Sequence, residues 1–366
     1  MRPVLVESLV ARALSVPTID PFVIASGQVQ ATRSVLVQVV LKDGQDGRTA
    51  TGLGEGACFP PVTREDQPEA LAALHRAMPS LLGARVGSLV RLHALLDGAL
   101  GDVPVARAAV EVACLDALAR LDAAPLFQWL EGDDAAAPPL ETDVTIPLLA
   151  PERMGALAQE WFARGFRALK VKVGRHFEGD LQALAAMVKA APGARFRPDA
   201  NGGLTPEEAL GFLAAARTLG AHVECFEQPC ATPAELAEVA RRTDVPIIAD
   251  ESVKQAADLE GIEVDGVNLK IAKSGSLLRA RDIGLAAKAR GLQVMVGGMV
   301  ETRLGMTAAA HLAASLRGAD YADLDTAFLL QSDPFHGGYV ATGAQLALPD
   351  APGLGLTLAG SETTWS

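Results

Sequence analysis

Between Thr142 and Thr326 one pattern recurs roughly every 25 residues: a short β-rich run, a break at Gly, Asn, Asp or Pro, then an Ala- and Leu-rich stretch with helical spacing. The runs are TDVTIPL, RALKVKV, RFRPDAN, HVECFEQP, VPIIADES, DGVNLKIAK, LQVMVGG and YADLDT. Eight strands alternating with helices predict an α/β fold, a parallel barrel with its helices outside. The competing architecture is an open doubly wound sheet. Against it, no GxGxxG motif opens a helix, and run after run ends on a charged residue. Residues 1–118 read differently. Three strand-like stretches (VLVESLVARALSV, SVLVQVVLKD, RTATGLGEGA) precede three helices, the pattern of a separate α+β domain. Within it DPFVIASGQVQAT and ACFPPVTREDQ read as loops. The expected division is a capping domain over 1–118, a barrel over 119–338, and a segment over 339–366 that returns to the cap.

The chain has 366 residues and a formal net charge of -12, which argues against nucleic acid as a partner. The N-terminus lacks the features of a signal peptide and no apolar run reaches membrane-spanning length, so the expected location is cytoplasmic. Cys58, Cys114, Cys225 and Cys230 form no CxxC pair and read as small core residues. The expected partners are a small-molecule substrate and further copies of the chain.

The chemistry emerges when the runs are aligned at their C-terminal ends, where a barrel of this type builds its site. Run two ends with Lys170 and Lys172, three with Asp199, four with Glu227, five with Asp250, six with Lys273 and eight with Asp323 and Asp325. Asp199, Glu227 and Asp250 come from consecutive strands, so their carboxylates are neighbours that repel unless a cation stands among them. Oxygen-only ligation favours a hard ion, Mg²⁺ before Mn²⁺ or Ca²⁺, one per subunit. Asn201 and Glu251 lie just beyond two of these ligands, as supports or as helix caps. Lys170 and Lys172, two apart, leave one face of a strand and point into the barrel. Their repulsion and burial are expected to lower a Lys pKa toward neutrality, as a general base requires. Lys273 is expected from strand six, across the metal. Amines on both sides of a bound carbon let a proton leave one face and return on the other, through an enediolate stabilised by the metal.

The segments LKVKV, DANGG, FEQP, ADES, NLKIAKSG and GGMVETRLG, in this order and spacing, resemble the enolase superfamily in its muconate-lactonizing-enzyme-like subgroup. The resemblance implies a capping domain over a modified (β/α)7β TIM-like barrel. It also implies Mg²⁺ on Asp199, Glu227 and Asp250, with Lys172 and Lys273 as opposed acid and base and Lys170 assisting. Lys or His bases with Mg²⁺ are general for this superfamily. Glu301 matches an acidic residue at the mouth of such barrels. The Asp-x-Asp of YADLDT resembles the signature of dipeptide epimerases, where it holds the α-ammonium of a dipeptide. That implies an isomerase which inverts the C-terminal Cα of an L,L-dipeptide by 1,1-proton transfer. Epimerases acting on Ala-Glu carry an Arg in the first capping loop; Gly27 stands there in this chain. With Phe22, Ile24, Phe59 and Val62 in the capping loops, a neutral or hydrophobic dipeptide is expected, with Phe22, Ile24, Thr145 and Glu301 near the substrate. The alternatives within the subgroup are o-succinylbenzoate synthase, N-acyl amino acid racemase and muconate cycloisomerase, none of which needs Asp323 with Asp325. A Schiff-base aldolase and a non-catalytic binding module are the readings of other classes.

Overall fold

A computed structural model of the chain describes residues 3–24, 27–60, 62–132 and 136–359. The N-terminal part begins with β1 (Val4–Leu14), a hairpin of β2 (Pro17–Ile24) and β3 (Gly27–Ala31), then β4 (Ser34–Asp43) and β5 (Thr49–Ala57). β1, β4 and β5 form an antiparallel sheet with β4 in the centre. In β4 the alternate residues Val35, Val37, Val39 and Leu41 are completely buried, so one face of the sheet is core. Helices α1 (Gln67–Leu81), α2 (Leu89–Leu100) and α3 (Pro104–Leu121) follow.

The alternating glycines of TGLGEGA explain how α3 meets this sheet. A Cβ on Gly52, Gly54 or Gly56 would sit 2.0, 2.0 and 2.4 Å from the carbonyl oxygens of Ala113, Ala109 and Val105. The helix backbone therefore lies flush on β5, a distance that only glycine permits. The other side of α3 faces the barrel, so the helix is buried nearly all round.

The hairpin corrects the loop expected over residues 20–32. Phe22 pairs with Val29 and Ile24 with Gly27, with an irregular register between Pro17 and Phe22. Pro21 and Gly27 carry turn signals that mask the short strands. Gln331 ties the hairpin to the barrel, donating to the carbonyls of Pro17 (2.8 Å) and Thr18 (2.9 Å).

After α4 (Leu126–Glu131) and β6 (Leu140–Glu141) the barrel runs as β7 (Val144–Ile146), α5 (Pro151–Ala163), β8 (Ala168–Lys172), α6 (Phe177–Ala190), β9 (Arg195–Asp199) and α7 (Pro206–Thr218). It continues with β10 (His222–Val223), β11 (Phe226–Glu227), α8 (Pro233–Ala240), β12 (Ile247–Ala249), β13 (Gly266–Leu269), α9 (Ile271–Ser274), α10 (Leu277–Ala289), β14 (Gln293–Gly297), α11 (Arg303–Ser315) and β15 (Tyr321–Asp323). The strands pair in parallel in the order β7, β8, β9, β11, β12, β13, β14, β15, and a parallel bridge from Thr142 to Ala322 brings the two ends together. Between β12 and β13 a single 3-10 turn, Ala256–Leu259, replaces a helix. This is the modified barrel with a capping domain that the sequence predicts. Last come β16 (Phe335–Gly337), β17 (Val340–Thr342), β18 (Gln345–Ala347) and β19 (Leu356–Leu358); Leu354 N–H donates to Asp116 on α3 at 2.7 Å.

Two buried carboxylates bind cap to barrel. Glu111 on α3 accepts from Ser276 Oγ (2.7 Å) and Leu278 N–H (3.2 Å) at the N-terminus of α10. Glu55 on β5 accepts from Thr302 Oγ1 (2.5 Å) and Gly305 N–H (3.0 Å) at the N-terminus of α11. Each places a negative charge where the helix dipole and unpaired N–H groups favour one. Among the described residues no helix is long and apolar enough to cross a membrane.

The flush contact gives a test. Gly→Ala at a tolerant site is neutral or stabilising, but Gly54→Ala must push α3 off the sheet and is expected to cost about 2 kcal/mol. The urea midpoint measures it; an unchanged midpoint would contradict the packing described.

Candidate active site

Parallel pairing sets the C-terminal ends of neighbouring strands level. Lys172 is the register partner of Asp199, and Asp199 of Glu227. Asp250 follows β12 directly, and all three carboxylates are at most 1% exposed. Ammonium groups stand between them. Lys170 Nζ lies 3.1 Å from Asp199, 2.6 Å from Glu227 and 2.7 Å from Asp323. Lys172 donates to Asp199 at 2.5 Å. Lys270, directly after β13, is 2.6 Å from Asp250 and 3.7 Å from Glu227. Lys273 is 2.7 Å from Asp250. Half of the eight lysines in the chain serve this one cluster.

The environment sets the charge states. Burial alone would raise Asp199, but Lys172, Lys170 and Lys270 hold it below the usual carboxylate range. Asp250 is likewise held well below, against burial, by Lys270 and Lys273. Glu227 is pushed up to about 7 by burial and by Asp199, which its lysines offset only in part. For Lys170 the expected lowering is reversed. Burial pulls its pKa down, yet Asp323, Glu227, Asp199 and Asp143 together raise it well above the ordinary value. The repulsion anticipated between neighbouring lysines is overridden by these surrounding anions.

Lys273 does not sit where strand six was expected to put it. It belongs to the helical turn α9, and its ammonium donates to the carbonyls of Asn268 (2.8 Å) and Asp250 as well as to the Asp250 carboxylate. Lys270, which the sequence reading passed over, lines the cavity at the barrel mouth together with Lys170 and Lys172. β8 and β13 are four places apart in the eight-strand order, so Lys172 and Lys270 approach from opposite walls. The available signal was that Lys270 closes GVNLK at a strand end, two residues after Asn268, which points inward and donates to Glu227 at 2.8 Å.

A second acidic group adjoins the first. Asp143, Asp323 and Asp325 each offer an oxygen within 4.8 Å of the others, a closer convergence than the expected metal set shows. Asp325 is not on β15; it heads the 3-10 turn Thr326–Leu329 and accepts from Thr145 N–H. Asp143, unremarked in the sequence, takes Arg197 Nη1 at 2.9 Å. One oxygen of Asp143 and one of Asp325 are buried without a hydrogen-bond partner. Burial and Asp323 push Asp325 up to about 7.

The remaining candidates support these groups or wall the cavity. Asn201 has φ +44°, a left-handed backbone that costs a non-glycine residue of order 1 kcal/mol, and is held by bonds to Asp199 (2.9 Å) and Glu251 (3.0 Å). Gln228, also missed in the sequence, has φ +34° and accepts from Asp250 N–H at 2.8 Å, tying the ends of β11 and β12. Glu301 accepts from Met299 N–H at 2.8 Å and so fixes the Met299–Val300 wall; burial and nearby Glu55 push it up to about 8. Phe22 and Thr145 line the cavity, and Phe22 meets Phe59 edge-on at 6.5 Å. The side chain of Ile24 lies outside the described residues.

The donor set of Asp199, Glu227 and Asp250 fits a hard divalent cation. It is all oxygen and fully buried, and Glu227 Oε2 accepts no directed hydrogen bond although Lys170 is close. The lysines that neutralise it do so with flexible tips.

Known proteins share this framework. A family model of the mandelate racemase / muconate lactonizing enzyme N-terminal domain matches residues 8–131, and one of the enolase C-terminal domain-like family matches residues 153–362. An aromatic dipeptide epimerase of Herpetosiphon aurantiacus is 38% identical, over 98% of this chain and 100% of its own length. An L-Ala-D/L-Glu epimerase of Bacillus subtilis is 36% identical over 94% of each chain. The structure of a dipeptide epimerase from Enterococcus faecalis, complexed with Mg and L-Leu-L-Tyr, superposes with a TM-score of 0.88 at 30% identity, covering 96% of this chain and 99% of that one.

Glu301 yields a pH test. Burial and the nearby Glu55 push its carboxyl up to about 8, against an ordinary value of about 4.3 for an exposed Glu. Between these values the native state keeps a proton that the unfolded chain has released, so stability drains as pH rises through the window. Glu301→Gln keeps an acceptor for Met299 and removes the titration. The variant should therefore gain stability relative to the parent at about pH 9 compared with about pH 5, read as a difference in urea midpoints; equal differences at both would contradict the assignment.

Proposed function

Because the chain belongs to the enolase superfamily, in its mandelate racemase / muconate lactonizing enzyme group, we propose that it is a Mg²⁺-dependent dipeptide epimerase, an isomerase that inverts the C-terminal Cα of an L,L-dipeptide. The observation that carries this reading is Lys170, whose ammonium touches both acidic groups at once. One acidic group therefore begins an ammonium's width from the other, beside the cavity that Lys170, Lys172, Lys270 and Asp323 line. A zwitterion with a carboxylate at one end and an ammonium at the other matches that layout.

In this reading Asp199, Glu227 and Asp250 hold the metal. When bound, Mg²⁺ supplies the positive charge that makes additional negative charge on the substrate carboxylate tolerable. Asp323 and Asp325 receive the α-ammonium, with Asp143 behind them; their charge-assisted bonds favour a free amino terminus over an N-acyl group. Lys172 and Lys270 face each other across the cavity. One removes the α-proton and the other returns a proton to the opposite side, which inverts the carbon. Lys273, bound to two carbonyls and lying outside the cavity lining, fixes Asp250 instead. Lys170 holds the two acidic groups in register, and Asn201, Gln228 and Glu251 support the ligands.

The wall opposite these charges is apolar: Phe22, Phe59, Val62, Met299 and Val300. The cations that line the cavity are Lys170, Lys172 and Lys270, each already paired with carboxylates or given to proton transfer. Among the residues lining this cavity an acidic substrate side chain would find no uncommitted cation, so neutral or hydrophobic dipeptides fit it better than Ala-Glu.

With Mg²⁺ in D₂O, pooled hydrophobic L,L-dipeptides should gain one deuterium at the C-terminal Cα and yield the L,D form by mass spectrometry and chromatography. Preferential turnover of Ala-Glu would refute the specificity. Lys172→Ala and Lys270→Ala should each slow epimerisation by about 10³-fold, while each still exchanges the α-proton of one diastereomer. Lys273→Ala should slow exchange of both diastereomers alike; loss confined to one would return the catalytic role to Lys273.

A further inference from the structure

A second cavity, of about 150 Å³, lies behind the catalytic one and shares Phe22 and Thr145 with it. Its apolar walls are Ile19 and Phe22 from β2, Leu157 and Trp161 from α5, and Phe328 and Leu329 from the turn Thr326–Leu329. The aromatic walls are mutually braced, with Trp161 5.0 Å from Phe166 edge-on and 6.5 Å from Phe328. At the rim the charges cancel. Arg153 lies 3.3 Å from Asp20 and 3.6 Å from Glu160, and Arg164 stacks on Trp161 at 3.8 Å. The apolar side chains therefore dominate the interior, with the charged groups confined to the rim.

We infer that this cavity receives the side chain of the N-terminal residue of the dipeptide and that it selects large apolar or aromatic side chains; the inference rests on the epimerase reading above. Two connections point to the N-terminal residue. Thr145, the wall common to both cavities, donates its N–H to Asp325. The turn bearing Phe328 and Leu329 starts at the residue after Asp325. An ammonium held by Asp323 and Asp325 is bonded to the same carbon as the N-terminal side chain, so that side chain departs beside Thr145, toward this space. A methyl group would leave it largely unfilled, forfeiting the dispersion contacts that a close-fitting apolar pocket provides.

The test is a ratio: kcat/KM for L-Phe-L-Leu divided by kcat/KM for L-Ala-L-Leu, measured with Mg²⁺ on the full chain. In the parent it should exceed unity by about tenfold or more. Ile19→Trp fills the cavity from the capping strand and Leu329→Trp from the turn, and either should lower the ratio at least tenfold. The pair guards against one variant misfolding, which its melting temperature would reveal. A parent ratio at or below unity, or a ratio unchanged in folded variants even if both rates fall, would overturn the subsite while leaving the epimerase reading intact. Failure of the parent to turn over any dipeptide would overturn both.

Discussion

Three carboxylates buried side by side at the mouth of a barrel repel one another with several kcal/mol at protein-like dielectric constants, so the fold tolerates them only with positive charge interleaved. The structure supplies it as Lys170, Lys172, Lys270 and Lys273, each within 2.7 Å of at least one of Asp199, Glu227, Asp250 or Asp323. Two lysines on β8 and two at the turn that follows β13 thus form a lattice of alternating sign with the carboxylates. A divalent ion taken up by Asp199, Glu227 and Asp250 would compete for every carboxylate partner of Lys172, Lys270 and Lys273 and for two of the three paired with Lys170.

The lattice needs a dry enclosure, and the capping domain provides one. The glycines at 52, 54 and 56 bring α3 against the cap sheet backbone to backbone, and α3 and β5 then send Glu111 and Glu55 to the N-termini of two barrel helices. These anchors set the cap at a fixed height, and the hairpin carries Phe22 over the opening. Glu301 sits between both systems, buried near Glu55 and fixing the Met299–Val300 wall. Cap position and cavity shape are therefore mechanically linked.

Much of this was legible in the sequence because a parallel barrel repeats its strand ends. Once RFRPDAN, HVECFEQP and VPIIADES are aligned, Asp199, Glu227 and Asp250 fall at adjacent strand ends, and the parallel pairing sets Asp199 level with Glu227 there, with lysines interleaved. What failed did so where regular periodicity breaks. The spacing of NLKIAK puts Lys273 on a strand, but the strand stops at Leu269 and the turn Ile271–Ser274 carries Lys273 onto Asp250, leaving Lys270 at the mouth. The β2–β3 hairpin was hidden by Pro21 and Gly27, and by the register irregularity that makes its alternation imperfect. The nearest residue in sequence, Lys172, suggests a lowered pKa for Lys170, whereas anions from three other strands raise it. Asp143 and Gln228 carry no spacing signal at all, since their roles depend on partners far along the chain.

The central claim is that Asp199, Glu227 and Asp250, rather than the more closely converged Asp143, Asp323 and Asp325, take the divalent ion. Titration calorimetry with Mg²⁺ and no substrate decides between them. One ion should bind per chain, with binding abolished by Asp199→Asn or Asp250→Asn and preserved in Asp325→Asn. Binding that survives in the first two variants and disappears in the third would contradict the account.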